Sequence, residues 1–351
     1  MNPVRLAMVG CGKMGQSVHL RNFLQAERCS VAAVCDQQGE LAREVAEANG
    51  IPQHFDSVDA LIKECEFDAA AAVVLWPTNL SLSLQLMEAG KHVYLEKPMA
   101  SNSDDARRMV ECARANGVKL MVAFMKRYDP GCQKAKQLIT EARADGTMGK
   151  LTYARFYDFV GEWQCGYDPP AIAPKGQANR PDITAGVPDF VTAEERGSYA
   201  GSNAMFCHII NLMRYILGDP QGVRSSTRRQ GANPFAMRSV TVFDYGDFDC
   251  TLETGSVAKI EFDEGARINF ETGWLRVAVH APLNIQAPAT VTICKQGNIT
   301  TLSTEYGWSF RREAQHFVDC VADDKDPLSS GEDSLKDMLL MEEMYKVYRG
   351  I

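Results

Sequence analysis

No stretch of this chain approaches the roughly 18 consecutive apolar residues of a membrane span. No signal peptide opens it either: the apolar run in MNPVRLAMVG is too short and leads straight into a glycine motif. A cytoplasmic protein with no membrane partner is expected. Basic charge is also scarce. The 37 Lys and Arg are outnumbered by 45 Asp and Glu, for a net charge of −8. That balance excludes a nucleic-acid partner, which needs a concentrated basic face. The longest basic cluster, Arg224 to Arg229, is interrupted by Ser225, Ser226 and Thr227, and reads as a solvated strand or loop. Cysteine is plentiful at 11, yet no two form a CxxC pair and none has a Cys/His spacing suited to zinc, so no metal is expected. The number is odd, and Cys35, Cys207, Cys294 and Cys320 lie inside apolar runs, which points to buried reduced thiols. Internal repeats and low-complexity tracts are absent.

What is present is enough chain for two domains: 351 residues, 45% hydrophobic and 23% charged. Residues 4–9, 30–35, 69–75, 91–95 and 118–124 are short apolar runs that read as buried strands. Helical stretches at 13–26, 38–49 and 80–89, and one opened by Ser101-Asn102-Ser103-Asp104, lie between them. This alternation predicts an α/β domain over residues 1–124, a doubly wound parallel sheet with helices on both faces. Residues 125–351 read differently. Helices are expected at 130–145, 201–217, 308–322 and 332–348. A half-exposed strand is expected at 151–160, and β segments at 239–245, 248–254, 256–262, 267–270, 274–280, 290–294 and 299–302. This predicts an α+β substrate-binding and oligomerisation domain on a large, mostly antiparallel sheet, with a C-terminal helix free to pack back on the first domain. Residues 164–200 hold five prolines and are expected to form an ordered, irregular excursion.

The most informative motif is Gly10-Cys11-Gly12-Lys13-Met14-Gly15, which follows a strand and opens a helix. Gly10 permits a tight turn, Gly12 lets the backbone approach a pyrophosphate, and Gly15 lets helix and strand pack closely. The helix N-terminus, with Lys13 and Met14, supplies amides and partial positive charge. Asp36 stands 21 residues after Gly15 at the end of the second strand. A carboxylate there accepts hydrogen bonds from ribose hydroxyls and repels a 2′-phosphate, which favours NAD over NADP. Trp76, Thr78 and Asn79, after the strand at 69–75, are further candidate cofactor contacts. Glu96-Lys97-Pro98 ends another parallel strand, where ligands of open α/β sheets bind. A lysine in a dehydrated cleft there serves as acid or base. Arg127 and Tyr128 follow the last strand of the series and are candidate contacts to substrate hydroxyls or a carboxylate. Trp163, with Tyr167, offers an aromatic face suited to a sugar ring or to packing.

With these motifs the chain resembles the Gfo/Idh/MocA oxidoreductases, which include glucose–fructose oxidoreductase and inositol dehydrogenase. The resemblance runs over essentially the whole chain: GCGKMG at 10–15, CD at 35–36, EKP at 96–98, KRYDP at 126–130, HIINLMRYILGD at 208–219, EAQHFVDCV at 313–321 and SGEDSL at 330–335. It implies that Lys97 is the catalytic lysine beside the nicotinamide and that His208 hydrogen-bonds the reacting hydroxyl or alkoxide. Many members carry Asp four residues before this His and again three residues after it. This chain has Ala204 and Asn211 there, and Asn203 cannot replace an acid. Asn211 can orient a hydroxyl but cannot take a proton, so the simple Lys/Asp/His relay is incomplete.

The function expected is hydride transfer between NAD and a ring hydroxyl or ketone of a sugar, sugar derivative or cyclitol. One alternative is a redox-assisted glycosidase or lyase with tightly bound, recycled NAD. A second is a non-enzymatic NAD-linked regulator. A homodimer or homotetramer through the C-terminal sheet is expected, because its strands are read as apolar on both faces: Trp274, Val277 and Val279 against Leu275, Ala278 and Ala281.

Overall fold

The computed structural model describes residues 3–175, 180–231, 237–256 and 261–351. It divides into two compact units. The first comprises Met1–Phe124, Asp168–Pro188 and Phe310–Met338, and the second Met125–Tyr167, Asp189–Ser309 and Leu339–Ile351.

The first unit is built on β1 (Val4–Val9), β2 (Cys29–Cys35), β3 (Gln53–Phe55), β4 (Ala69–Ala72), β5 (His92–Glu96) and β6 (Leu120–Ala123). They form one sheet in the order β3-β2-β1-β4-β5-β6, and every pairing is parallel. Helix α1 is a π-helical stretch, Gly15–Leu20, continuing as Arg21–Phe23. It is followed by α2 (Gly39–Asn49), α3 (Val58–Glu64), α4 (Asn79–Glu88) and α5 (Ser103–Ala115). Strand order reverses between β1 and β4, the crevice where nucleotides bind in such sheets. Leu6, Ala7, Met8 and all of Ala69–Ala72 have no exposed surface, as strands covered on both faces must. Strand β4 is four alanines, a residue poor in strand propensity; burial between β1 and β5 overrides the local preference. The short β3 and α3 were not expected from the sequence, because neither carries enough apolar periodicity to stand out.

The second unit contains α6 (Pro130–Asp145), β7 (Leu151–Val160), α7 (Arg196–Leu217), β8 (Gly222–Arg229), β9 (Arg238–Asp244), β10 (Asp249–Ser256), β11 (Asp263–Phe270), β12 (Gly273–Val279), β13 (Thr290–Lys295) and β14 (Asn298–Leu302). The sheet order is β14-β13-β12-β11-β7-β10-β9-β8, antiparallel except for the parallel pair β7·β10. Helix α8 (Ser309–Ala322) and helix α9 (Gly331–Arg349) end the chain.

Two expectations need correction, and a third lies largely outside the described residues. Helix α7 starts at Arg196 rather than 201, led in by a 3-10 turn at Ala193–Glu195. The segment expected at 256–262 falls largely on residues 257–260, outside the described residues. The reading of β12 as apolar on both faces is wrong. Leu275, Val277 and Val279 share one parity and are buried, whereas Trp274, Arg276 and Ala278 make the other face, half-buried or exposed. With side chains alternating at period 2, 275 and 277 cannot lie on opposite faces. The second face is amphipathic: Arg267 stacks over Trp274 at 3.7 Å, and Arg155 makes a two-pronged contact with Glu253 at 2.7 and 2.8 Å. Among the described residues no helix is long and apolar enough to cross a membrane. The cysteines are free thiols; Cys35, Cys207 and Cys320 are buried as expected, Cys294 is half-buried and Cys165 is exposed.

Candidate active site

In the first unit the glycine motif turns sharply out of β1. Gly10 has φ +96°, and a Cβ on it would lie 2.2 Å from the Val73 carbonyl oxygen. A Cβ on Gly15 would lie 2.3 Å from the Gly10 carbonyl oxygen. These two glycines are demanded by the fold itself. Gly12 is different: it is exposed, its φ is ordinary, and nothing lies within 4 Å of where a Cβ would be. Open space above bare backbone suits the close approach of a pyrophosphate, so the loop fits a dinucleotide. Lys13 is exposed beside it and Met14 half-buried.

Asp36 is half-buried at the end of β2. Its Oδ2 accepts the Cys11 amide at 2.8 Å and its Oδ1 accepts the Gln38 amide at 2.9 Å. The carboxylate is thus oriented by two backbone donors, and each oxygen keeps an acceptor site for a ribose hydroxyl. Trp76 and Thr78 form a half-buried 3-10 turn after β4, with Thr78 Oγ1 donating to the Leu75 carbonyl at 2.8 Å.

Asn79 is fully buried, and its Nδ2 lies 3.2, 3.0 and 3.3 Å from the carbonyl oxygens of Glu96, Pro98 and Met99. It fastens the turn that carries Lys97, in which the Lys97–Pro98 peptide bond is cis. Lys97 is half-buried and its amide donates to Glu96 Oε2 at 2.9 Å. Behind the lysine runs a buried chain that the sequence reading missed. Glu96 Oε1 lies 2.8 Å from His19 Nε2, His19 Nδ1 lies 3.1 Å from Tyr94 Oη, and Tyr94 Oη lies 2.7 Å from Glu313 Oε2. Burial pushes the Glu96 carboxyl up, but the hydrogen bond and charge of His19, joined by Lys97, outweigh it and hold the group below the usual carboxylate value. Burial pushes the Glu313 carboxyl well above that value, against the pull of the Tyr94 hydrogen bond. His19 lies four residues past Gly15 and Glu313 opens the tail motif; each is a polar residue in an apolar helix face, which is the signal that could have found them.

In the second unit, residues 125–128 form a 3-10 turn and Asp129-Pro130 starts α6. Asp129 caps that helix through the Cys132 amide at 3.0 Å, and Pro130 occupies its first turn. Arg127 and Tyr128 are both buried. Arg127 Nε donates to Asn211 Oδ1 at 2.7 Å, so two residues chosen from distant motifs are in contact. Asn211 lies three positions after His208 on α7, hence on the same side of that helix, and His208 is half-buried. Trp163 is 37% exposed, and Tyr167 packs edge-on against Trp308.

A second charged group also escaped sequence reading. Lys126 forms an ion pair with Glu264, and Glu264 stands in register opposite Asp158 across β11·β7. All three are buried. Burial first, then the Glu264 charge, push the Asp158 carboxyl well up, against the pull of Lys126. Asp158 shares parity with Ala154 and Phe156, and Glu264 with Ala266 and Ile268; an acid at an inward position was the available signal. Among the described residues no group of three or more His, Cys, Asp or Glu side chains is arranged to hold a metal ion.

Residues 4–124 match the oxidoreductase family described as NAD-binding Rossmann fold. Over 345 residues the chain is 24% identical to scyllo-inositol 2-dehydrogenase (NAD(+)) of Bacillus subtilis, covering 93% of this chain and 88% of that one. It is 34% identical over 138 residues to inositol 2-dehydrogenase 3 of Saccharopolyspora erythraea, 39% of this chain and 40% of that one. A 3-ketoreductase from Actinomadura kijaniata, solved with NADP and TDP-benzene, shares the fold at a TM-score of 0.78 and 18% identity, covering 99% of this chain and 98% of that one. The glycine loop and the parallel sheet agree with this match, and residues 4–124 are an NAD-binding Rossmann-fold domain of the kind this oxidoreductase family model describes.

Proposed function

We propose that this chain is an NAD-dependent dehydrogenase or reductase that moves a hydride between the nicotinamide and a ring hydroxyl or ketone of a sugar, sugar derivative or cyclitol. The observation that carries the reading is the joint presence, along one edge of one sheet, of an open Gly12 loop, an amide-oriented Asp36 and a Lys97 held on a turn fastened by Asn79. The similarity to inositol and sugar dehydrogenases supports the substrate class.

The glycine-loop amides and the α1 N-terminus would hold the pyrophosphate, and Asp36 the adenosine ribose. A nicotinamide bound there would supply the acceptor or donor of the hydride. Lys97 Nζ takes the proton of the reacting hydroxyl, or returns it to the alkoxide. His208 hydrogen-bonds that oxygen, and Arg127, Tyr128, Asn211 and Trp163 contribute to substrate recognition. Asn79 and Glu96 hold Lys97 in place rather than touching the substrate. NAD is preferred because a 2′-phosphate would meet the Asp36 carboxylate. We further place a homodimer or homotetramer at the C-terminal sheet, with Arg155, Glu253, Arg267 and Trp274 as the character of its contact face.

The test is a panel of sugars and cyclitols with NAD and with NADP, followed by the absorbance of the reduced nicotinamide. Turnover with a polyol or its ketone is expected. Lys97→Met should still bind NAD but lose turnover by about 10²–10⁴-fold or more; near wild-type rates in that variant would sink the mechanism. A second reading, redox-assisted bond cleavage with recycled NAD, is favoured by the absence of an acid at positions 204 and 211 and by the engagement of Asn211 Oδ1 with Arg127. Release of an aglycone without accumulation of reduced cofactor would distinguish it.

A further inference from the structure

Within the proline-rich excursion of residues 164–200, the stretch Asp168–Pro188 belongs to the first unit. Asp168 Oδ1 lies 2.6 Å from the ammonium of Lys13, inside the glycine motif. Four residues on, Ile172 is gripped at both backbone groups by one side chain. Gln16 Oε1 accepts the Ile172 amide at 2.8 Å, and Gln16 Nε2 donates to the Ile172 carbonyl at 3.0 Å. The same Nε2 lies 2.6 Å from the Cys11 carbonyl, which ties this grip to the glycine loop itself. Three residues further, the Lys175 ammonium pairs with Glu40 at 3.0 Å and Glu44 at 2.7 Å, both on α2 just past Asp36. Later in the same excursion, the Gly186 carbonyl accepts from Asn102 Nδ2 at 2.8 Å, at the cap of α5.

These anchors have a common address. Lys13 and Gln16 follow β1, Glu40 and Glu44 follow β2, and Asn102 follows β5. They all lie beyond the carboxyl ends of the parallel strands, the edge at which this fold binds its dinucleotide. Between Asp168 and Lys175 the chain passes from the pyrophosphate loop to the helix that starts beside the ribose carboxylate. Pro169, Pro170 and Pro174 fix backbone φ along this stretch, which lowers the entropy lost in holding it across the loop.

We infer that residues 168–175 are a strap across the cofactor edge of the Rossmann unit that slows release of the nicotinamide dinucleotide. The inference rests on the cofactor reading above and adds to it the segment that governs how fast the cofactor leaves. The exposed ion pairs at either end contribute little singly. The two-pronged Gln16 grip is the central fastening, and its two hydrogen bonds together correspond to about a tenfold change in release rate.

The experiment measures binding, not catalysis. Protein freed of cofactor is loaded with reduced nicotinamide dinucleotide, desalted, and chased with excess NAD while the bound fluorescence decays. Wild type is expected to retain its cofactor through desalting. Gln16→Ala should release it about tenfold faster, and the Asp168→Ala/Lys175→Ala double variant, which loses the exposed ion pairs at both ends, severalfold faster, each with unchanged circular dichroism. The double variant changes only exposed ends of the strap, so it reports even where Gln16→Ala disturbs the glycine loop. Equal release from wild type and double variant overturns the strap while leaving the cofactor reading intact. Tighter or faster binding in the variants also overturns it, since the segment would then obstruct the site. No binding to wild type at any concentration removes the cofactor reading itself.

Discussion

Lys126, Glu264 and Asp158 allow a prediction whose size follows from their burial. Replacing Lys126 with Met keeps most of the side-chain volume but removes the cation paired with Glu264, which has no exposed side-chain surface. Breaking a buried pair from one side leaves the other charge uncompensated and costs about 3–5 kcal/mol. For a unit of this size that lowers the melting temperature by roughly 10 °C. The double variant Lys126→Met/Glu264→Gln removes both charges and should recover most of the loss, because replacing a whole buried pair is often close to neutral. The cost should also depend on pH. Without Lys126, burial and the Asp129 charge act unopposed on Glu264, whose carboxyl is already raised, and raise it further. A carboxyl raised in the folded state contributes its full stability below its unfolded value and loses it as pH rises through the folded value. Lys126→Met should therefore be least harmful in mild acid and most harmful at neutral pH and above. Urea unfolding of wild type, single and double variants, at several pH values, measures this. A single-variant loss below about 1 kcal/mol, or a double variant no better than the single, would refute the assignment of Lys126 as the counter-ion of a buried carboxylate.

Gly12→Ala should fold normally and lose affinity for the dinucleotide, since its Cβ meets only open space; Gly15→Ala should lose folding stability instead, since its Cβ meets a carbonyl oxygen at 2.3 Å. Thermal melts with and without cofactor separate the two outcomes. Asp36→Ser combined with Gln37→Arg should shift preference from NAD toward NADP, read from the two dissociation constants; equal wild-type affinity for both would remove the role given to Asp36. Light scattering at micromolar concentration should find a dimer or tetramer, and a concentration-independent monomer would show that the second sheet face needs no partner.

How far the sequence reaches can be judged element by element. It determined the Rossmann sheet because a parallel sheet buried on both faces leaves continuous apolar runs, such as VRLAMV, separated by helical periods. It determined the glycine turn because Gly10 and Gly15 occupy positions that no side chain can fill. It singled out Asp36, Lys97, Arg127 and Asn211 as candidates, since chemistry-bearing residues at strand ends and in dense motifs stand out locally. Strand parity in β12 was also written in the sequence, although the grouping first read from it was mistaken.

Only the tertiary structure decided which of these residues meet. The contact between Arg127 and Asn211 spans 84 positions, Tyr94 with Glu313 spans 219, and Lys126 with Glu264 spans 138. The grip of Gln16 on Ile172 spans 156. Periodicity and turn chemistry act over a few residues and carry no information about such pairings. A buried acid or histidine looks ordinary in sequence until the fold removes water from around it and supplies its partner, because the cost of an unpaired polar group arises only on burial.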